Sequence, residues 1–207
     1  MILDLSGGYG RVTPYLLRDD NRVVLADLSI HSLQVAKKTL KENVDFIRLD
    51  SLSLPFVENA FDALWFTQAF EYVPPDLRET FLMSLRKTVK KGGIMFVNIA
   101  KVPNECSFFS YVKNFIYWKF VKRQPVLWGD YIYKLDLEHH EGWHYHSVVF
   151  SKGTVNRIIR EARFRVLKTK TYRNGYVAYL LKASKKSMVF LCLTMLVKCA
   201  NLQSRWF

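Results

Sequence analysis

The sequence predicts an α/β fold, a mostly parallel sheet with helices on both faces that finishes in an antiparallel hairpin, and three observations predict it. Short apolar runs alternate with segments whose apolar residues recur at helical spacing, the pattern of repeated strand and helix units. Gly7, Gly8 and Gly10 follow the first apolar run at once, as at a sharp strand-to-helix turn. Near the carboxyl end Asn174-Gly175 separates two strand-like runs, the strongest short-range hairpin signal.

Taken in order, residues 2–5 read as a short buried strand and 11–17 as the helix after the glycines. Residues 23–26 form a second buried strand ending at Asp27, and Leu33, Ala36 and Leu40 keep helical spacing after it. Residues 44–49 and 61–66 give the third and fourth strands, with the turn signal LPFVENA between them. A helix over about 76–89 carries Leu77, Phe81, Leu85 and Val89 at intervals of four, and Gly92-Gly93 then precede a fifth strand, 94–99. Ser151 is placed to cap a helix running to about Ala162, and 164–172 and 176–182 form the closing hairpin. The stretch from about 101 to 149 is an insertion between the fifth strand and the last helix.

With 207 residues, half of them hydrophobic, the chain supports one large domain with an elaboration: a domain over 1–184 and an apolar helix over 185–207. The net charge of +13 is uneven. Residues 1–100 carry 12 Lys+Arg and 12 Asp+Glu, while the rest carry 19 and 6. Such a basic half suits an acidic substrate, a nucleic acid or an anionic membrane, and charge alone does not rank them. Cys106, Cys192 and Cys199 are odd in number and lack CxxC spacing, so neither a disulfide framework nor a zinc site is indicated and a reducing cytoplasm fits. No secretory signal is visible, and the apolar run 188–197 is short of the roughly 20 residues of a bilayer span. A buried or interfacial helix is expected there.

The glycine turn fails two tests. From Gly8 the sequence reads Gly-Tyr-Gly-Arg-Val-Thr, without the third glycine of a dinucleotide fingerprint, and no Gly-Lys-Ser/Thr follows for a phosphate loop. Asp27, at the tip of the second strand and about 20 residues beyond the turn, is placed to accept hydrogen bonds from a ribose diol. A nucleoside without pyrophosphate is implied, with Asp50 and the following apolar LPF flanking its base.

These residues resemble the class I S-adenosylmethionine-dependent methyltransferases, in particular their broad small-molecule (type 11-like) group. ILDLSGGYGR is similar to the family's VLDLGCGTGR, and ADLSIHSLQVAKK, RLDSLSLPFVENAFDALWFTQAFEYV, LRKTVKKGGIMFV and HSVVFSKGTVNRIIREARF resemble its later motifs in order. The resemblance runs from about residue 2 to 182. It implies a Rossmann-like sheet of seven strands and S-adenosyl-L-methionine as cofactor. It implies that Asp4, Gly8 and Gly10 serve the methionine part, Asp27 the ribose and Asp50 with Ser51 the adenine, and that Gln68 borders the methyl donor. Ser6 stands where the family has its first glycine, and Gly7, in place of its Cys or Ser, is expected to take the positive φ.

Methyl transfer is an in-line displacement, so alignment and water exclusion are the main tasks, and a base is needed only for an acceptor that must lose a proton. His146 and His144, from EHHEGWHYHS, and Glu71 are the candidate bases, with Tyr72 a further alternative. The histidine spacings fit no common metal motif, so no metal is expected. The loop FTQAFEYVPP lacks the Asn/Asp-Pro-Pro-Tyr/Phe of exocyclic-amine methyltransferases. The insertion SFFSYVKNFIYWKFVKRQPVLWGDYIY has aromatics on every face of a helix, more than one stripe buries. It is read as an aromatic helical cap over an apolar acceptor, with an interfacial helix and a single-strand nucleic-acid surface as alternatives. The expected function is methyl transfer to a small-molecule or lipid-like acceptor. The alternatives are an RNA methyltransferase using the basic half and a non-catalytic partner protein keeping the fold. The expected location is cytoplasmic, with peripheral membrane contact through the carboxyl end.

Overall fold

The computed structural model describes residues 1–17, 21–40, 43–74, 76–100, 107–124, 126–128, 130–134, 143–147, 152–172 and 176–184. Within them β1 (Ile2–Leu5), β2 (Val23–Asp27), β3 (Val44–Arg48) and β4 (Phe61–Phe66) are parallel, and β5 (Val89–Ala100) pairs parallel with β4. The hairpin strands β8 (Phe164–Thr171) and β9 (Tyr176–Ala183) are antiparallel to each other, and β9 is antiparallel to β5. The sheet order is β3-β2-β1-β4-β5-β9-β8. Strand order reverses at β1, so the crevice beyond the carboxyl ends of β1 and β4 is the topological switch point, where α/β sheets bind ligands.

Short α1 (Thr13–Leu16) and α2 (Ile30–Thr39) lie on one side of the sheet; α3 (Arg78–Thr88) and α5 (Lys152–Glu161) lie on the other. Ser29 caps α2 by accepting the Ser32 N–H at 3.2 Å, satisfying one of the donors that every helix start leaves open. The α3 and α5 face is a single core: Leu3, Leu64, Met95 and Leu181 form one row and Leu5, Phe66, Val97 and Tyr179 the next, packed on Phe81, Leu82, Leu85 and Ile159.

Some expected boundaries change. The helix after the glycines is one turn, with Pro14 in it. β5 begins at Val89, so Gly92-Gly93 lie inside the strand. Gly92 takes φ +83°, and a Cβ on Gly93 would stand 2.6 Å from the Asp62 carbonyl oxygen. The glycines thus absorb the register shift between Phe61 and Ala63 that lets Val89 pair with β4.

The insertion is only partly helical. α4 (Phe108–Ile116) is capped by Ser107 and continues into a π turn at Tyr117–Val121. β6 (Asp130–Lys134) and β7 (Trp143–Ser147) then form a separate antiparallel pair, where the cap had been expected to be helical. Alternating aromatic residues in DYIYK and WHYHS suit a pleated ribbon. The Asn114 side chain clamps α4 to β6: its amide donates to the Ile132 carbonyl at 2.9 Å and its oxygen accepts the Ile132 N–H at 3.2 Å. Tyr111 is buried with the Trp128 ring edge-on at 5.0 Å, while Phe108, Phe109 and Phe120 are exposed.

Among the described residues no helix is long and apolar enough to cross a membrane. The three cysteines, His139, His140, the Ser151 cap, the Asn174-Gly175 turn and the apolar 185–207 helix lie outside the described residues.

Candidate functional site

The chain leaves β1 through backbone conformations that few residues adopt. Ser6, Gly8 and Gly10 have φ of 55°, 55° and 73°. The positive φ expected at Gly7 falls on Ser6 instead. Gly7 is required for space: a Cβ there would stand 3.0 Å from the Asp4 carboxyl carbon and 3.1 Å from Leu25. Two backbone bonds, Gly7 N–H to the Ala26 carbonyl at 3.2 Å and Gly10 N–H to the Gly7 carbonyl at 3.0 Å, close the turn over the end of β2.

Asp4 lies beneath this turn, 2% exposed, and accepts the Thr13 hydroxyl at 2.7 Å. Burial pushes its carboxyl up from 3.8 to about 6; the Thr13 bond opposes the shift and the nearby Asp27 charge adds to it. Asp27 ends β2 with both carboxylate oxygens engaged. Oδ2 accepts the Gly8 N–H at 2.8 Å and Oδ1 accepts the Ser29 N–H at 2.9 Å. One carboxylate therefore ties the glycine turn to the start of α2. The Leu49 N–H donates to the Asp27 carbonyl at 3.1 Å, which brings Asp50 and Ser51 beside Asp27. Asp50 is exposed, and its Oδ1 accepts the Leu52 N–H at 2.9 Å.

Across the switch point Gln68 takes φ 54°. Its N–H donates to the Asn98 side-chain oxygen at 2.6 Å, and its own side-chain oxygen accepts from Arg11 Nη2, also at 2.6 Å. The Arg11 bond joins the turn after β1 to the loop after β4. Beside it opens a cavity of about 270 Å³ bounded by Arg11, Gln68, Asn98, Tyr176 and the rings of Trp65 and Phe96, which stack at 4.0 Å with planes 11° apart.

Of the candidate bases, Glu71 is 1% exposed in the 3-10 turn Phe70–Tyr72 and is not part of the cavity wall. Its Oε1 accepts the Tyr176 hydroxyl at 3.0 Å, and burial raises its pKa above the ordinary range. Tyr72 is half exposed. His144 and His146 occupy alternate positions of β7, opposite Tyr133 and Tyr131, on a strand packed against the Phe70–Tyr72 turn. The elements carrying all three candidate bases therefore meet. Arg11, Trp65, Phe96, Asn98 and Tyr176 were missed as site residues. The alternation of half-buried Trp65 and Phe96 with fully buried neighbours is the signal that marks them, and it is visible only once the strands are paired.

Residues 2–93 match a family model described as a methyltransferase domain. The ubiquinone/menaquinone biosynthesis C-methyltransferase UbiE of an Enterobacter species (strain 638) is 32% identical over 104 residues, 46% of this chain and 41% of that protein. The chain thus spans about two-fifths of the length of the curated relatives it matches. Among solved structures, a SAM-dependent methyltransferase of Methanosarcina mazei superposes with a TM-score of 0.70 at 14% identity, covering 89% of this chain and 92% of that one. The 1,6-didemethyltoxoflavin-N1-methyltransferase of Burkholderia thailandensis, with 1,6-didemethyltoxoflavin and S-adenosylhomocysteine bound, reaches 0.62 at 17% identity over 89% and 71% of the two chains.

Proposed function

We propose, proceeding from a chain that is a class I S-adenosylmethionine-dependent methyltransferase domain, that it transfers a methyl group from S-adenosyl-L-methionine to a small acceptor that is flat and largely apolar. The observation that carries this reading is the Asp27 carboxylate bound to the Gly8 N–H, which sets the ribose anchor and the glycine turn in one rigid unit.

The residues fit that cofactor. Among the described residues nothing stands within 4 Å of the position a Gly8 side chain would occupy, so ligand and backbone can meet there. Each Asp27 oxygen accepts one N–H among the described residues, and a carboxylate has about four acceptor sites, which leaves a pair for a ribose diol. Asp50 and Ser51 border the base. Gln68, held between Arg11 and Asn98, borders the reacting end, and Asp4 supports the turn from below. When bound, the cofactor would supply an electrophilic sulfonium methyl, which passes to an acceptor nucleophile in line as the carbon–sulfur bond breaks and S-adenosylhomocysteine leaves.

The chain's part is to align the acceptor and exclude water. The stacked Trp65 and Phe96 rings give the cavity an aromatic wall, which favours a planar acceptor. Relatives whose names place them in quinone biosynthesis support an acceptor of that size and polarity. Glu71 acts as a positioning residue: it accepts from the Tyr176 hydroxyl, and Tyr176 meets the cavity.

Equilibrium dialysis with labelled S-adenosylmethionine tests the reading. Asp27→Ala is expected to weaken binding at least about tenfold, the size of one or two lost charge-assisted hydrogen bonds. Asp27→Asn, which retains one acceptor oxygen for the backbone, keeps the fold with intermediate binding. Full binding by a folded Asp27→Ala protein, or none by the unaltered chain, refutes the proposal.

A further inference from the structure

Helices α2 and α4 are built to opposite plans. α2 keeps Leu33 and Ala36 inside and presents Gln34, Lys37 and Lys38 to solvent, the ordinary amphipathic arrangement. On α4 and the π turn that follows, the apolar side chains face outward as well. Their inner face is already occupied: Tyr111 is fully buried, the Phe115 ring meets Trp128 at 5.1 Å, and Asn114 is clamped to Ile132. Phe109, Ile116 and Phe120 recur at spacings that share one side of a helix, and they are 76%, 48% and 67% exposed. Phe108 and Val121 beside them are exposed too. A contiguous bare apolar surface of this kind marks an interaction site.

We infer that this outward face of α4 and the π turn docks on an anionic lipid surface. The cations of the same segment supply the complement. Lys113 lies between Phe109 and Ile116, and Lys119, Lys122 and Arg123 gather at the far end, all of them exposed. From 106 to 129 the sequence contains no Asp or Glu, so no acid of this segment neutralises them. Lys119 Nζ donates to the Val126 carbonyl at 3.1 Å, and Lys122 Nζ stands 5.7 Å from the centre of the Tyr117 ring, which keeps both cations beside the apolar face. A helix lying in the plane of a bilayer uses this pairing, large apolar side chains in the acyl boundary and Lys or Arg at headgroup level. α4 and the π turn have 9 and 5 residues, short of the roughly 20 of a span, so the segment suits the surface of a bilayer. Other occupants fit less well. A two-fold pairing of copies through this face would set their cations against each other. Single-stranded nucleic acid needs flat rings to stack on, and Ile116 and Val121 offer none. The inference rests on this surface alone and is independent of the proposed reaction.

Vesicle flotation of the full chain tests it. With phosphatidylcholine vesicles containing about one-third phosphatidylserine, the unaltered chain is expected to partition at least about tenfold more strongly than with phosphatidylcholine alone. Phe109→Ser combined with Phe120→Ser, at sites exposed in the folded chain, is expected to leave circular dichroism and melting temperature unchanged and to lower partitioning at least about tenfold. Lys113→Gln combined with Lys122→Gln, which leaves the apolar face intact, is expected to lower partitioning onto the anionic vesicles and not onto the neutral ones. Absence of flotation by the unaltered chain, or equal flotation with both kinds of vesicle, overturns the inference. So does full flotation by the Phe109→Ser, Phe120→Ser protein, which assigns the lipid contact to another part of the chain. It is overturned too if that double variant leaves flotation unchanged while it abolishes a concentration-dependent dimer or weakens binding of a single-stranded RNA oligonucleotide, because the face then belongs to a second copy or to nucleic acid.

Discussion

On β5, Met95 and Val97 are completely buried, whereas Ile94 between β4 and β9 is 43% exposed. The difference lies in what is laid on each side of the strand. α3 and α5 bring Phe81, Leu82, Leu85 and Ile159 to one face and complete it. On the other face α1 is a single turn and α2 covers β2 and β3, and Ile94 stays exposed. The same sheet thus contains a finished interior and, among the described residues, a face with a cavity at its upper end and open apolar area below it.

The largest effect belongs to the finished face. Phe66→Ala removes a fully buried ring that meets Phe81 at 5.2 Å. It is expected to cost about 3–5 kcal/mol, read as a fall of roughly 10 °C in melting temperature for a chain of this size. A loss below about 1 kcal/mol would show that this face is not the core.

Next comes the carboxyl group beneath the glycine turn. Because burial raises Asp4 from 3.8 to about 6, the folded state holds the proton more tightly than the unfolded chain. The resulting stability is fully present below about pH 4 and is lost as pH rises through about 6. The expected change is on the order of 3 kcal/mol across that window. Asp4→Asn, which keeps an oxygen for the Thr13 hydroxyl, should flatten this part of the curve of unfolding free energy against pH; an unchanged slope would assign it to other groups.

The smallest effect discriminates most sharply between the faces. Ile94→Ser, at a site 43% exposed, is expected to cost less than about 0.5 kcal/mol, against the several kcal/mol of Phe66→Ala on the opposite face. Denaturant unfolding monitored by circular dichroism separates the two values.

Much of the fold was legible because its signals are local. Apolar runs of four to six residues, Gly8 with Gly10, and Asn174-Gly175 each act within a few positions, and Asp27 could be placed because it ends a strand. The rest depends on pairing over distance. Tyr176 reaches Glu71 from 105 positions away, and Gln68 meets Arg11 from 57, so neither partnership leaves a spacing to read. Trp65 and Phe96 look like core residues in FDALWF and IMFV; among the described residues they line a cavity instead. In the insertion the aromatic content is plain, but aromatics suit helix faces and pleated ribbons alike, so the residues of β6 read as the end of the aromatic helix.

The carbonyl of Ser184 accepts a hydrogen bond from Arg86 of α3, and the Ser184 N–H donates to the Arg163 carbonyl at 3.1 Å. The last described residue is thereby fastened to the helix layer of the finished face. These two bonds act as a stop in the unzipping of the sheet: they tie the end of β9 to α3 and to the start of β8, so opening the hairpin from its carboxyl end has to break contacts with the helix layer as well as the strand pairing.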